Sequence, residues 1–276
     1  MIQQKVGLAD LTGKIVADKL VAVAAAINTQ VSRDLPQYWP INATVAYLPN
    51  PKAVPQGCWP VFLVDKLAPG EGGVHMTKHN QPYAKVIATP ANDDWTIDVS
   101  HETIEMLVDP YGNRLQTAAS IEIVNDQIKD GTGKFEYLVE ACDPCEANQF
   151  GYQVDGILVS DFLTPHFYDR VAAPDARYSF TGALKFPRNI LPGGYISWID
   201  PQTQEMQQLL YLSSTPSIRN LGPVSGKQSL RVFVDGKTSE LIAKAAKSAN
   251  KSVRADRASR AKHLAVAAAA RATLFP

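Results

Sequence analysis

The chain has 276 residues, 45% hydrophobic and 20% charged, with 27 Lys and Arg balancing 27 Asp and Glu. That is apolar material for one large core, or a core with an appendage, and it excludes a disordered chain. No apolar run of about 20 residues occurs, which excludes a helical membrane span, and three cysteines are too few for a disulfide scaffold.

The N-terminal stretch MIQQKVGLADLTGK has no basic region leading into an apolar run and a cleavage site, so no signal peptide is expected and a cytoplasmic location follows. Between Asp18 and Leu35, apolar residues at Leu20, Val23, Ala24, Ile27 and Val31 keep a helical period, and Pro36 ends it. The runs Ala43 to Leu48 and Trp59 to Lys66 read as strands. A glycine-rich turn, Ala68 to Gly73, leads into a hairpin or edge strand with its bend at Asn80 to Pro82. His75 and His79 sit in that stretch and read as surface residues rather than ligands.

The stretch Trp95 to Asn113, WTIDVSHETIEMLVDPYGN, carries the most chemistry. Asp98 or Ser100 suits the N-cap, Glu102 to Val108 forms the helix body, and Asp109, Pro110 and Gly112 stop it. His101 and Glu105 are four residues apart, on one helix face, with Cβ atoms roughly 5–6 Å apart, so both can reach one cation. Glu102 is turned about 100° away and can act on a water beside that cation without binding the ion. Asp109 would lie about 12 Å along the axis from His101, which suits a helix-ending or supporting residue better than a ligand.

Arg114 to Gly133 reads as a looser polar segment, and Lys134 to Glu140 as a short strand or helix that delivers Glu140 and Asp143. Cys142 and Cys145 form one C-x-x-C pair; with no second pair they read as small buried residues flanking Asp143 rather than a zinc ribbon. Residues Gly151 to Asp169 alternate as further strands, with Phe162, Pro165, Phe167 and Tyr168 as a pocket wall. Phe186 to Gln208 reads as a surface hairpin. From Lys237 onward nine Lys and Arg stand against two acidic residues in an alanine-rich helical tail, so residues 1–236 form the main domain and 237–276 a basic appendage. The tail suits self-association or an anionic partner; salt-sensitive nucleic-acid binding is a weaker alternative for a neutral chain.

HETIE is similar to the H-E-x-x-H zinc helix of the zincin metallopeptidases, with Glu105 in place of the second histidine. The longer strings SHETIEMLVDPYGN and YLVEACDPCE resemble a group of uncharacterised bacterial and phage proteins, distantly related to exordium-like proteins. This resemblance implies an α+β zincin-like domain with a twisted mixed sheet, a long N-terminal helix and an active-site helix. It implies zinc, or another divalent metal, held by His101, Glu105 and Asp143, with Glu140 as the rival third ligand. Glu102 would be the general base in hydrolysis of a peptide or protein substrate, and His166 a supporting group for the oxyanion, although His166 reads more readily as an ordinary loop histidine. Tyr83, Ala84 and Lys85 would form the edge strand that pairs with extended substrate. The alternative is a non-catalytic structural or binding protein on the same scaffold, such as a virion or assembly component, which would make the location virion-associated.

Overall fold

The computed structural model describes residues 3–68, 71–211, 215–224, 226 and 228–238. The basic tail beyond 238 lies outside the described residues. The protein is mixed α+β, built on two five-stranded sheets and a small two-stranded ribbon.

The first sheet uses β1 (Gln4–Asp10), β2 (Ala43–Tyr47), β3 (Cys58–Val64), β4 (Gly73–Lys78) and β5 (Gln81–Ile87) in the order β2-β1-β3-β5-β4. All neighbours run parallel except β4, which is antiparallel to β5. In β1, Val6, Leu8 and Ala9 are all buried, as expected of a parallel strand covered on both faces. The alternation in β5 buries Pro82, Ala84 and Val86 on one side. The bend between β4 and β5 is His79-Asn80, both with positive φ, which gives the twist that a two-residue hairpin needs; it lies just before the expected Asn80 to Pro82.

Two helices pack on this sheet. α1 (Ala17–Thr29) buries Leu20, Val23, Ala24 and Ile27, then gives way to a π-helical turn over Gln30–Asp34 and a 3-10 turn at Leu35–Gln37. The single helix expected through Leu35 is thus broken where Gln30 turns inward: its amide donates to Ser160 O and accepts from Ser100 Oγ. α2 (Trp95–Val108) starts three residues before the expected Asp98 cap, because Trp95 and Ile97 are core residues that carry the helix back toward Asp94.

The second sheet follows the order β12-β11-β10-β7-β6 and is wholly antiparallel, from β6 (Leu115–Val124), β7 (Gln127–Leu138), β10 (Tyr195–Asp200), β11 (Glu205–Leu210) and β12 (Ser217–Pro223). The segment expected to be loose, 114–133, is instead most of the long β6–β7 hairpin, turned at Asn125-Asp126 with positive φ at both. The expected surface hairpin at 186–208 contributes the central strand of this sheet. Trp198 there is fully buried and stacks on Phe135, with ring centroids 4.9 Å apart. β8 (Tyr152–Val154) and β9 (Ile157–Val159) form the ribbon, and β9 touches both α1 and α2.

A further helix, α3, covers 230–238 among the described residues and runs through the boundary placed at 236. Its Phe233 and Val234 pack with Leu138, Met206 and Leu221 in a cluster separate from the main core. Among the described residues, no helix is long and apolar enough to cross a membrane.

Candidate metal centre

All 14 residues of α2 are buried, although Asp98, Ser100, His101, Glu102, Thr103 and Glu105 are polar or charged. A helix buried on every side is normally apolar, and each buried polar group must find a partner inside the protein. Four of these partners are structural. Thr96 Oγ1 donates to Leu158 O, Thr103 Oγ1 to Val99 O and Ser100 Oγ to Gln30 Oε1, while the Ser160 amide donates to Ser100 Oγ. The Thr103 bond lies within α2, and the other three tie α2 to the β9 segment and to the turn that follows α1. The C-terminal end is closed by Asp109 Oδ2, which accepts from the Arg114 amide, and by the Arg114 guanidinium, which donates to Val108 O. Asp109 therefore ends the helix, as its position along the axis suggested.

Of the other polar side chains of α2, His101, Glu102 and Glu105 converge. His101 Nε2 lies 3.2 Å from Glu105 Oε2 and 3.2 Å from Asp143 Oδ1. Glu105 divides its labour: Oε1 accepts from the Cys142 amide at 3.0 Å, which leaves Oε2 facing His101. That amide bond also draws in the segment after β7. A 3-10 turn at Asp143–Cys145 then presents Asp143 to the helix, with Cys142 and Cys145 buried and unbridged on either side. The two thiols are pushed well above their usual pKa by burial, which keeps them protonated and chemically quiet.

Two histidine–carboxylate groups result, His101 with Glu105 and Asp143, and His75 with Glu102 and Glu105, each with ligand-type atoms within 4.8 Å of one another. Both are buried groups able to hold a metal ion. Two bonds of about 2.0–2.1 Å at a tetrahedral angle place their ligand atoms about 3.3 Å apart. The two 3.2 Å separations at His101 match that spacing. Asp143 Oδ1 faces the imidazole without an aligned hydrogen bond, and Glu140 Oε1, outside both histidine groups, is a buried oxygen without one. A cation between His101 and Asp143 would satisfy Asp143 Oδ1.

His75 was expected at the surface and is instead 2% exposed on β4, with Nδ1 3.4 Å from Glu102 Oε2 and 3.7 Å from Glu105 Oε2. His79 occupies the exposed turn. Glu102 is buried beneath the start of β4, against Gly73. His166 does not join the cluster: half its side chain is exposed and its Nδ1 pairs with Asp169 Oδ2 at 2.7 Å. Tyr83, Ala84 and Lys85 are corrected as a substrate edge. They lie on β5, which is paired to β3 on one side and β4 on the other, so its main-chain groups are already used. Among the described residues the free edge next to α2 belongs to β4.

A second residue escaped the sequence reading. Arg231 of α3 is 4% exposed and its Nη1 reaches Glu105 Oε2 at 3.0 Å, Asp143 Oδ2 at 3.3 Å and Glu140 Oε2 directly, while Nε pairs with Asp235 at 3.0 Å. Glu140 is thus a partner of Arg231 and belongs to neither histidine group. The charges set the protonation. Burial disfavours the His101 cation, but Glu105, Asp143 and Glu102 outweigh it and hold its pKa well above normal. Burial likewise disfavours a charged Glu105, yet His101 and Arg231 hold its pKa well below the usual carboxylate range. Glu140 is pushed well above that range by burial, with Glu105 and Asp143 adding, and Asp143 is raised by burial and Glu105.

No protein-family model, curated protein or solved structure matches the chain.

Proposed function

We propose that the protein is a metal-dependent hydrolase of peptide bonds on a zincin-like scaffold, with zinc held by His101, Glu105 and Asp143. The observation that carries this reading is the pair of 3.2 Å approaches around His101 Nε2, made by two acids from distant segments. A mixed sheet whose antiparallel edge strand lies beside α2 supports it as well. One imidazole and two carboxylates suit zinc, and their oxygen content admits a harder divalent ion such as manganese. A cation held there would lower the pKa of a water and polarise a carbonyl.

The chain's own residues supply the rest. Glu102, one residue along α2 from His101, takes a proton from the attacking water and returns it to the leaving amine. His75, with Nδ1 3.4 Å from Glu102 Oε2, orients that carboxylate. The Cys142 amide fixes Glu105, and the 3-10 turn fixes Asp143. An extended peptide would add to the free edge of β4 by main-chain hydrogen bonds.

A second reading, a non-catalytic binding or assembly protein, is favoured by Arg231, which places positive charge among the same carboxylates. Zinc binding by the wild type and His101→Ala, followed by a peptide-library assay of wild type and Glu102→Gln at saturating zinc, separates the two. Cleavage that disappears in Glu102→Gln supports the hydrolase. Zinc uptake without cleavage supports the second reading, and no uptake refutes the metal centre.

A further inference from the structure

We propose that Arg231 is a latch on this centre: its guanidinium and a divalent cation compete for Glu105 and Asp143, so that the ion binds as Arg231 withdraws. The inference rests on the metal reading above. Competition follows first from shared atoms. Arg231 Nη1 bonds Glu105 Oε2, the same oxygen that faces His101, and approaches Asp143 through Oδ2. A cation bonded to Glu105 Oε2 would lie within about 5 Å of Nη1, and two positive charges that close in a buried site repel strongly.

The arginine alone fits the site poorly. It pairs with Glu105, Glu140 and Asp143 through one oxygen each, so that Glu140 Oε1 is left without a hydrogen bond and Asp143 Oδ1 faces His101 Nε2 at 3.2 Å instead of the guanidinium. A permanent structural partner would satisfy more of these oxygens, because buried polar groups left unpaired are destabilising.

The seat of Arg231 is both specific and shallow. Gly112, with φ +62, follows α2, and a Cβ there would meet Arg231 Cβ at 2.7 Å; the glycine is what lets α3 approach. The Arg231 amide donates to Gly112 O at 3.0 Å, and the Leu230 amide to Asn113 Oδ1 at 2.9 Å. The apolar seat is the small cluster around Phe233 and Val234, apart from the main core. Local opening of a segment seated on so small an apolar cluster is far easier than global unfolding.

The test uses the full chain and zinc as the probe, with affinity read by competition against a chromophoric chelator. A latch that is closed nine-tenths of the time weakens apparent affinity about tenfold. Arg231→Gln is therefore expected to bind zinc roughly tenfold or more tightly than wild type. Phe233→Ala, which loosens α3 and leaves every charge in place, is expected to shift in the same direction. In the wild type, zinc should speed amide hydrogen exchange over 230–238, a readout that needs no variant. Equal or weaker zinc binding by both variants, or unchanged or greater protection of 230–238 on zinc addition, overturns the latch and leaves Arg231 as a fixed neighbour of the ligands. If neither wild type nor Arg231→Gln binds zinc more tightly than His101→Ala, the metal reading itself fails, and the latch with it.

Discussion

Glu102 is held where it is by the absence of a side chain opposite it. A Cβ on Gly73 would lie 2.6 Å from Glu102 Oε1 and 2.7 Å from its Cγ, against ordinary contacts of 3.4–4 Å, so part of the Glu102 chain must retreat by about 0.7 Å. Glu102 is 3% exposed, enclosed by α2, β4 and His75, and has no room to swing away. Gly73 does not have a positive φ, so alanine brings no backbone strain and the clash dominates. Gly73→Ala should therefore destabilise by the overpacking range, about 1–3 kcal/mol, which is about 2–4 °C of melting temperature per kcal/mol in a protein of this size. In a Glu102→Ala background the added methyl has free space, and the same substitution should cost almost nothing. Chemical denaturation of the four proteins in this double-mutant cycle gives the coupling directly. Additive effects, within about 0.5 kcal/mol, would show that Glu102 is not seated against β4 and would remove the basis for the proposal that it acts as an oriented base.

Other expectations follow from the same interior. Gln30→Leu deletes the amide that joins Ser100 Oγ to Ser160 O and leaves buried groups unpaired at both ends, so a loss of about 2–4 kcal/mol is expected in urea melts; a loss below about 1 kcal/mol would remove that bridge as a lock on α2. Burial raises Glu146 to about 8, with Asp143 adding, and raises Asp235 to about 6 against the opposing Arg231; Glu140 and His101 also lie above their normal values. Groups with raised pKa take up protons on folding, so their stabilisation is complete below the unfolded values and is lost as pH rises through the folded ones. The metal-free protein should accordingly melt at progressively lower temperature from about pH 5 to about pH 9, and melts that rise across this window would contradict the assignment.

The helix with His101 and Glu105 was legible because a four-residue spacing and an Asp-Pro stop are local signals, and so were β2, β3 and the hairpin that became β4 and β5. Asp143 was legible as a partner through the resemblance of its segment. What escaped was set at long range. Which strand of the β4–β5 hairpin is the edge depends on β3 pairing with β5, so Tyr83, Ala84 and Lys85 were assigned to an edge they do not form. His75 looked like a loop histidine because its burial comes from α2 packing over β4; the signal that was present is its place beside the apolar Val74 in a strand-forming run. Arg231 had a weaker signal, the helical spacing of Leu230, Phe233 and Val234, and nothing local indicates that the intervening arginine points into the cluster. The segment 114–133 looked loose because the outer part of the β6–β7 hairpin is largely exposed and polar.

The two oxygens of Glu105 make the departure from the common zinc motif a requirement of this chain. One oxygen accepts the Cys142 amide and so joins α2 to the turn that carries Asp143, while the other faces His101 and Arg231. An imidazole that gave one ring nitrogen to a metal would offer an N–H at the other, and an N–H set against the Cys142 N–H is repulsive. Restoring histidine at 105 would thus separate the very segments that it is meant to bring together, so the glutamate is part of how this protein is assembled as well as of what it can bind.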